Sequence, residues 1–224
     1  MKKHISKITI ILGLLLIAAA LGLILYNRWD SERAGRESAM VLDALTGAIV
    51  ENAEAAGDTI IPGGSGAQGG SRIPGTSRRD PIDDSENWGS KPMATEEIDG
   101  YDYIGVVEIP ALDVFLPVMA DWDYKRLTVS PCRFTGSYYT GDLVICAHNN
   151  TAHFGYLLYI DIGTDVYFTT VQGKTYHYQV SNREIVKPTA LEDMITGEDW
   201  DLTLFTCTVG GQTRCAVRCV LMDD

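Results

Sequence analysis

Three side chains of this 224-residue chain have a type and setting suited to chemistry: Cys207, His148 and Arg214. Cys207 ends the apolar stretch Leu202-Thr203-Leu204-Phe205-Thr206, just before the turn residues Val209-Gly210-Gly211. His148 ends Leu143-Val144-Ile145-Cys146-Ala147 and is followed by Asn149-Asn150, so it stands where a buried strand opens into a polar loop. Arg214 opens the next apolar stretch, and a tight hairpin through Gly210-Gly211 would return it to the side of Cys207. A thiol becomes a strong nucleophile as thiolate, which a neighbouring base or cation promotes. An imidazole can carry a proton to a departing amine, and a guanidinium can hold a carbonyl oxygen as negative charge grows on it. Together these are the parts of a thiol acyl-transfer site. From spacing alone the blander reading stays open, since single Cys and His residues are more often packed or solvated than catalytic.

The other residues of these types have simpler readings. Cys132, Cys146, Cys215 and Cys219 show no metal-ligand spacing and read as small buried hydrophobes. Five cysteines is an odd number, so at least one is unpaired within the chain, and a dense disulfide scaffold is excluded. His153 is the alternative base, though no apolar strand leads into it. His4 and His177 read as an N-terminal flank and a strand surface. Arg218 lies four residues beyond Arg214, on the same side of a regular strand but about 13 Å further along, too far to touch the same carbonyl. It reads as an ion pair or a solvated rim. No acidic run has the spacing of a calcium loop, and no metal or cofactor is expected.

The elements that must position these residues begin near Ile98. YIGVVEI, VFLPVM, DLVICAH, DVYFTTV, KTYHYQVSNREIV, DLTLFTCTV and RCAVRCVLM each read as a strand bounded by turn residues. That density of strands predicts an all-β fold, a closed barrel of about eight strands with one or two short helices, one of them at Leu191–Thr196. No G-x-G-x-x-G or P-loop follows a strand, which excludes the common nucleotide-binding folds. The net charge of −12 excludes a nucleic-acid binder, which needs a basic face.

Ahead of the strands, Ile8 to Tyr26 is an uncharged apolar run close to the roughly 20 residues that cross a bilayer as a helix. Lys2, Lys3 and Lys7 precede it and favour a cytoplasmic N-terminus, while Tyr26 and Trp29 suit the interface. An uncleaved anchor over residues 1–30 is preferred to a cleaved signal peptide, because no small-residue cleavage site follows. Four of the 18 basic and one of the 30 acidic residues fall within it, leaving 14 and 29 outside, a net of −15. Residues 31–56 read as a juxtamembrane helix with Ser31 as N-cap, Gly57 as stop, and apolar Met40, Leu42, Leu45, Ile49 and Val50. Residues 57–97 hold GGSGAQGGS and read as a flexible tether. The remaining unit, 98–224, is expected to be soluble and active when started near Thr95.

LTLFTCTVGGQTRCAVRC resembles the TLxTC…R signature of sortases, the membrane-anchored cysteine transpeptidases of Gram-positive bacteria. YIGVVEIPALDVFLPVM is similar to their first barrel strands, and LVICAHN to the strand that bears their histidine. The resemblance covers roughly residues 98–224 and implies Cys207 as nucleophile, His148 as acid/base and Arg214 as oxyanion partner. It further implies that Thr206 and the segment Lys187–Trp200 border the substrate. The implied reaction cleaves a sorting motif of the LPxTG kind through a thioester and transfers the surface protein to a cell-wall or pilin amine. Because the chain ends soon after the arginine strand, a second anchor is not expected and a class B- or D-like enzyme is favoured. A cell-wall cysteine hydrolase and a non-enzymatic surface barrel are the competing classes.

Overall fold

The structure is a computed structural model that describes residues 2–55, 92–190, 195 and 199–222. It opens with one helix, α1 (Lys2–Ala55), followed by β1 (Glu96–Ile98), β2 (Tyr101–Ile109), β3 (Val114–Met119), α2 (Tyr124–Leu127), β4 (Cys132–Thr135), β5 (Leu143–Ala147), β6 (Asp165–Thr170), β7 (Thr175–Val186), β8 (Leu202–Cys207) and β9 (Arg214–Leu221). The sheet runs β1-β2-β3-β4-β5-β8-β9-β7-β6, and β6 pairs back onto β2. Eight strands therefore close into a barrel, with β1 added outside the ring, so closure removes the edges an open sheet would leave. Gly105 permits that closure: a Cβ there would stand 2.1 Å from the Thr169 carbonyl oxygen on β6.

Alternation along the strands sorts their side chains into two cores. Leu143, Ile145 and Ala147 of β5, Leu202 and Leu204 of β8, and Cys215, Val217 and Cys219 of β9 fill the barrel interior. Val144, Cys146, Phe205 and Ala216 point outward and join a second core with Tyr103, Val106 and Met119. Val41, Leu45 and Ile49 of α1 complete that second core.

The strands recognised in the sequence all form, together with two more. β1 and β4 went unrecognised because they are short and carry Glu96, Glu97 and Arg133 in place of an apolar alternation. The tether lies outside the described residues apart from its last part, and so does nearly all of the expected helix Leu191–Thr196. The described residues contain the short α-helix α2, capped by Asp123, whose carboxylate accepts from the Arg126 N–H at 2.7 Å, and two 3-10 turns at Pro110–Leu112 and Leu157–Tyr159.

Ser31 does not begin a helix, because α1 runs through it without a break. No proline interrupts Tyr26–Ala55, and Arg28–Glu32 (2.9 Å) and Arg33–Glu37 (3.8 Å) bridge the junction as i,i+4 pairs. The two halves differ in what they touch. From Ile10 to Leu25 the large side chains are exposed, and this stretch is long and apolar enough to cross a membrane. From Ala34 onward Ala34, Ser38, Val41, Leu45, Ile49 and Ala53 are buried, a stripe at three- and four-residue spacing that lies against the barrel. Fully burying each Leu or Ile is worth about 1.5–3 kcal/mol, so the second half of α1 contributes to a core it shares with the barrel. A unit beginning near Thr95 would leave the barrel face under that stripe uncovered.

Candidate active site

β5 and β8 run parallel with Ala147 opposite Thr206, so one further residue along the same register brings His148 level with Cys207. Strands paired in this way lie about 4.8 Å apart. On the other side, β8 and β9 pair antiparallel with Cys207 opposite Arg214. The Thr208 N–H donates to the Thr213 carbonyl at 3.0 Å, which makes 208–213 the hydrogen-bonded pair. Cys207–Arg214 is then a non-hydrogen-bonded pair, the kind in which Cα atoms approach to about 4.5 Å and side chains are closest. The hairpin through Gly210-Gly211 thus has the expected register. The result is one row, His148, Cys207, Arg214, across the outer face of three adjacent strands. All three side chains are half-buried.

Arg214 is braced by its own turn, its Nη1 donating to the carbonyls of Gly211 (3.0 Å) and Thr213 (3.1 Å). Those two contacts use one nitrogen of the fork and leave the remaining donors available. Arg218, two steps down the same face, is 1% exposed and fully engaged. Its Nε and Nη2 donate to Glu184 Oε1 at 3.0 and 2.9 Å, its Nη1 to Thr203 Oγ1 at 2.9 Å, and its guanidinium stacks on Trp200 at 4.4 Å. The ion-pair reading of Arg218 holds, and a solvated rim does not.

Of the five cysteines, Cys207 alone is not buried. Burial pushes the thiols of Cys132, Cys215 and Cys219 upward and that of Cys146 to about 12, so they stay protonated and inert. Thr206 is corrected as a groove-lining residue. It alternates with Cys207, faces inward, is 3% exposed, and donates its hydroxyl to the Ala147 carbonyl at 2.8 Å. Among the described residues no three His, Cys, Asp or Glu side chains gather as metal ligands.

The loop after His148 folds back on itself. Asn150 Oδ1 accepts from the N–H groups of Ala152 (3.0 Å) and His153 (2.8 Å), and the Phe154 N–H donates to the His148 carbonyl at 3.0 Å. Three successive loop residues then meet one face of α1. Ser31 and Thr151 share a hydroxyl hydrogen bond of 2.8 Å, a Cβ on Gly35 would stand 3.3 Å from the Ala152 Cβ, and Ser38 Oγ lies 3.4 Å from His153 Nε2. The signal was present in the sequence as small residues at positions 31, 35 and 38, the i, i+4, i+7 spacing of one helix face.

His153 is 1% exposed, and Ser38 gives its own proton to the Val129 carbonyl at 2.6 Å, so Ser38 Oγ accepts from His153 Nε2. Burial, and then the nearby His148, lowers the His153 pKa to about 4. Such an imidazole is neutral across the physiological range and is no alternative to His148 as a proton donor. Its depressed value also makes stability pH-dependent. Between the ordinary pKa of about 6.5 and the folded value of about 4, the unfolded chain takes up a proton that the folded one refuses. Stability therefore falls as pH drops through that window, by about 3 kcal/mol in all. Urea midpoints from pH 7 to 4.5 should fall more steeply for the native chain than for His153→Gln; parallel curves would show that His153 is not the group responsible.

A groove of about 860 Å³ opens on the His148 side of the row, between Asn27–Gly35 of α1 and the loop from His148 to Ala152. Comparison with curated proteins found no match. Among solved structures the chain is similar to sortase C1 from Streptococcus suis, with 28% identity, 55% of this chain and 74% of that chain covered, and TM-score 0.48. It is also similar to sortase C of Streptococcus pneumoniae (25%, 55% and 70%, 0.49) and to sortase C from Clostridium perfringens SM101 (22%, 55% and 71%, 0.47). The Sortase domain family matches residues 107–222, from the last part of β2 to just past the end of β9, with His148, Cys207 and Arg214 all inside the matched stretch. A match over more than half of the 224 residues, on a closed barrel of the expected strands, makes this chain a member of the sortase family.

Proposed function

We propose that the protein is a cysteine transpeptidase that cleaves a sorting motif of the LPxTG kind and transfers the cleaved surface protein to an amine of the cell wall or of a pilin. The observation that carries this reading is the register at the barrel's outer face, where the one unburied thiol is flanked by a histidine on one strand and an arginine on the other. Cys207 attacks the scissile carbonyl, its sulfur forming the new bond. The Arg214 fork holds the oxyanion, and His148 gives its proton to the leaving amine. The thioester that remains is released when an incoming amine attacks it. By the same resemblance Lys187–Trp200, half of which lies outside the described residues, is assigned to border the peptide, and the apolar half of α1 anchors the enzyme with its N-terminus in the cytoplasm and the barrel outside. None of these steps requires a metal or a redox partner.

The test is capture of the acyl-enzyme. Full-length protein is mixed with a library of sorting peptides, and the intact mass is read before and after adding amines. We expect one peptide-sized adduct on Cys207, discharged to an amide by cell-wall or pilin-type amines. Discharge to water alone, whichever amine is offered, would identify a hydrolase. No adduct with any peptide would reject the acyl-transfer reading.

A further inference from the structure

We infer that the groove between the start of the outer half of α1 and the loop after His148 is the acceptor site, where the chain carrying the incoming amine lies. The inference rests on the transpeptidase reading and assigns residues to its second half.

The argument starts from where the groove lies. Cys207 stands between His148 and Arg214, so a carbonyl bound to the thiol has its oxygen on the Arg214 side and its nitrogen on the His148 side. The incoming amine enters as the leaving amine departed, and the imidazole that protonated the one deprotonates the other. The acceptor chain must therefore extend away from Cys207 past His148. The groove does so: His148 lines one end of it, and neither Cys207 nor Arg214 does. Its volume of about 860 Å³ is in the range that holds a ligand of a few residues.

The walls indicate the chemistry of that ligand. Among a largely apolar lining they offer polar groups, Asn149 and Thr151 on the loop and Arg28 and Glu32 on α1. Glu32 accepts from Arg28 Nε at 2.9 Å and is half exposed, so its carboxylate keeps lone pairs open to a further donor. The backbone N–H groups of a peptide-like acceptor can donate to that carboxylate while its neutral amine reaches past His148 to Cys207. Gly35 keeps the far wall thin where α1 passes Ala152. Resolution then follows without a co-reactant. The amine nitrogen forms a bond to the thioester carbon, the carbon–sulfur bond breaks with its electron pair left on Cys207, and the amine proton passes to His148.

Full-length protein in detergent, acylated by its sorting peptide, is given either a short peptide with one free amine or methylamine, which is too small to fill the groove. The amine concentration that splits product equally between amide and acid is measured for the native chain, Glu32→Gln and, as a control outside the groove, Glu37→Gln. We expect Glu32→Gln to raise that concentration about tenfold or more for the peptide amine, the scale of one lost charge-assisted hydrogen bond, and to leave methylamine and the control unmoved. An unchanged value for the peptide amine overturns the acceptor site. An equal rise for methylamine also overturns it, since Glu32 would then act on the chemistry and not on the chain. A failure of the native protein to form any acyl-enzyme counts against the transpeptidase reading instead.

Discussion

Replacing Cys207 by alanine should abolish both turnover and the peptide adduct, whereas Cys132→Ala and Cys146→Ala should keep both and cost stability at most. The reason lies in what surrounds each sulfur. Cys132 and Cys146 face one another across β4 and β5 inside the second core, and burial holds both as thiols. Cys215 and Cys219 are enclosed in the barrel. Cys207 alone sits at a strand end with partial access to solvent. Iodoacetamide should accordingly add one label to the folded native protein, none to folded Cys207→Ala, and five to the unfolded native chain. The adduct is read by intact mass and the turnover by peptide cleavage. Full activity in Cys207→Ala would remove the nucleophile from the mechanism and the catalytic row with it.

What the sequence disclosed follows from how each feature is encoded. The strands that build the barrel are apolar runs ending at turn residues, so Leu143–Ala147 and Leu202–Cys207 were legible along with the residues at their ends. The hairpin was legible because Gly210-Gly211 fixes the register that sets Arg214 against Cys207. Thr206 was misplaced because the resemblance marks a position but not a face; strict alternation turns it inward. β4 was missed because only four residues pair, with Arg133 among them. The larger miss was α1. Its buried stripe mixes Ala34 and Ser38 with Val41, Leu45 and Ile49, and small residues carry little hydropathy signal. Met40, taken as apolar lining, is 68% exposed, while its neighbour Val41 is buried. A helix that serves a membrane with one half and a barrel with the other has no single periodicity to read. The partners of its inner face lie far along the chain, on β3 and in the loop after His148, where no local pattern points to them.

Arg214→Lys should lower kcat/KM for the sorting peptide by about 10²-fold or more, within the range seen when one oxyanion donor is removed. Lysine keeps the charge but presents a single ammonium on a flexible stem. Arg214 spends one nitrogen on the Gly211 and Thr213 carbonyls, which leaves the rest of a planar fork available to the proposed oxyanion. An ammonium would have to choose between bracing the turn and meeting the oxyanion. Arg218→Lys should do the opposite. Its guanidinium is committed to Glu184, Thr203 and Trp200, and it lies about 13 Å along the strand from Arg214 at about 3.3 Å per residue. Lysine cannot reproduce that set of contacts, so the urea midpoint should fall by the equivalent of about 1–3 kcal/mol, the cost of hydrogen bonds lost from a buried charged group. Below the unfolding transition the rate should be little changed. Measuring kcat/KM and unfolding on both variants at one temperature separates the two roles. A rate lost in folded Arg218→Lys and kept in Arg214→Lys would transfer the oxyanion role to Arg218, and the row on the outer face would then have to include the strand level of Thr203.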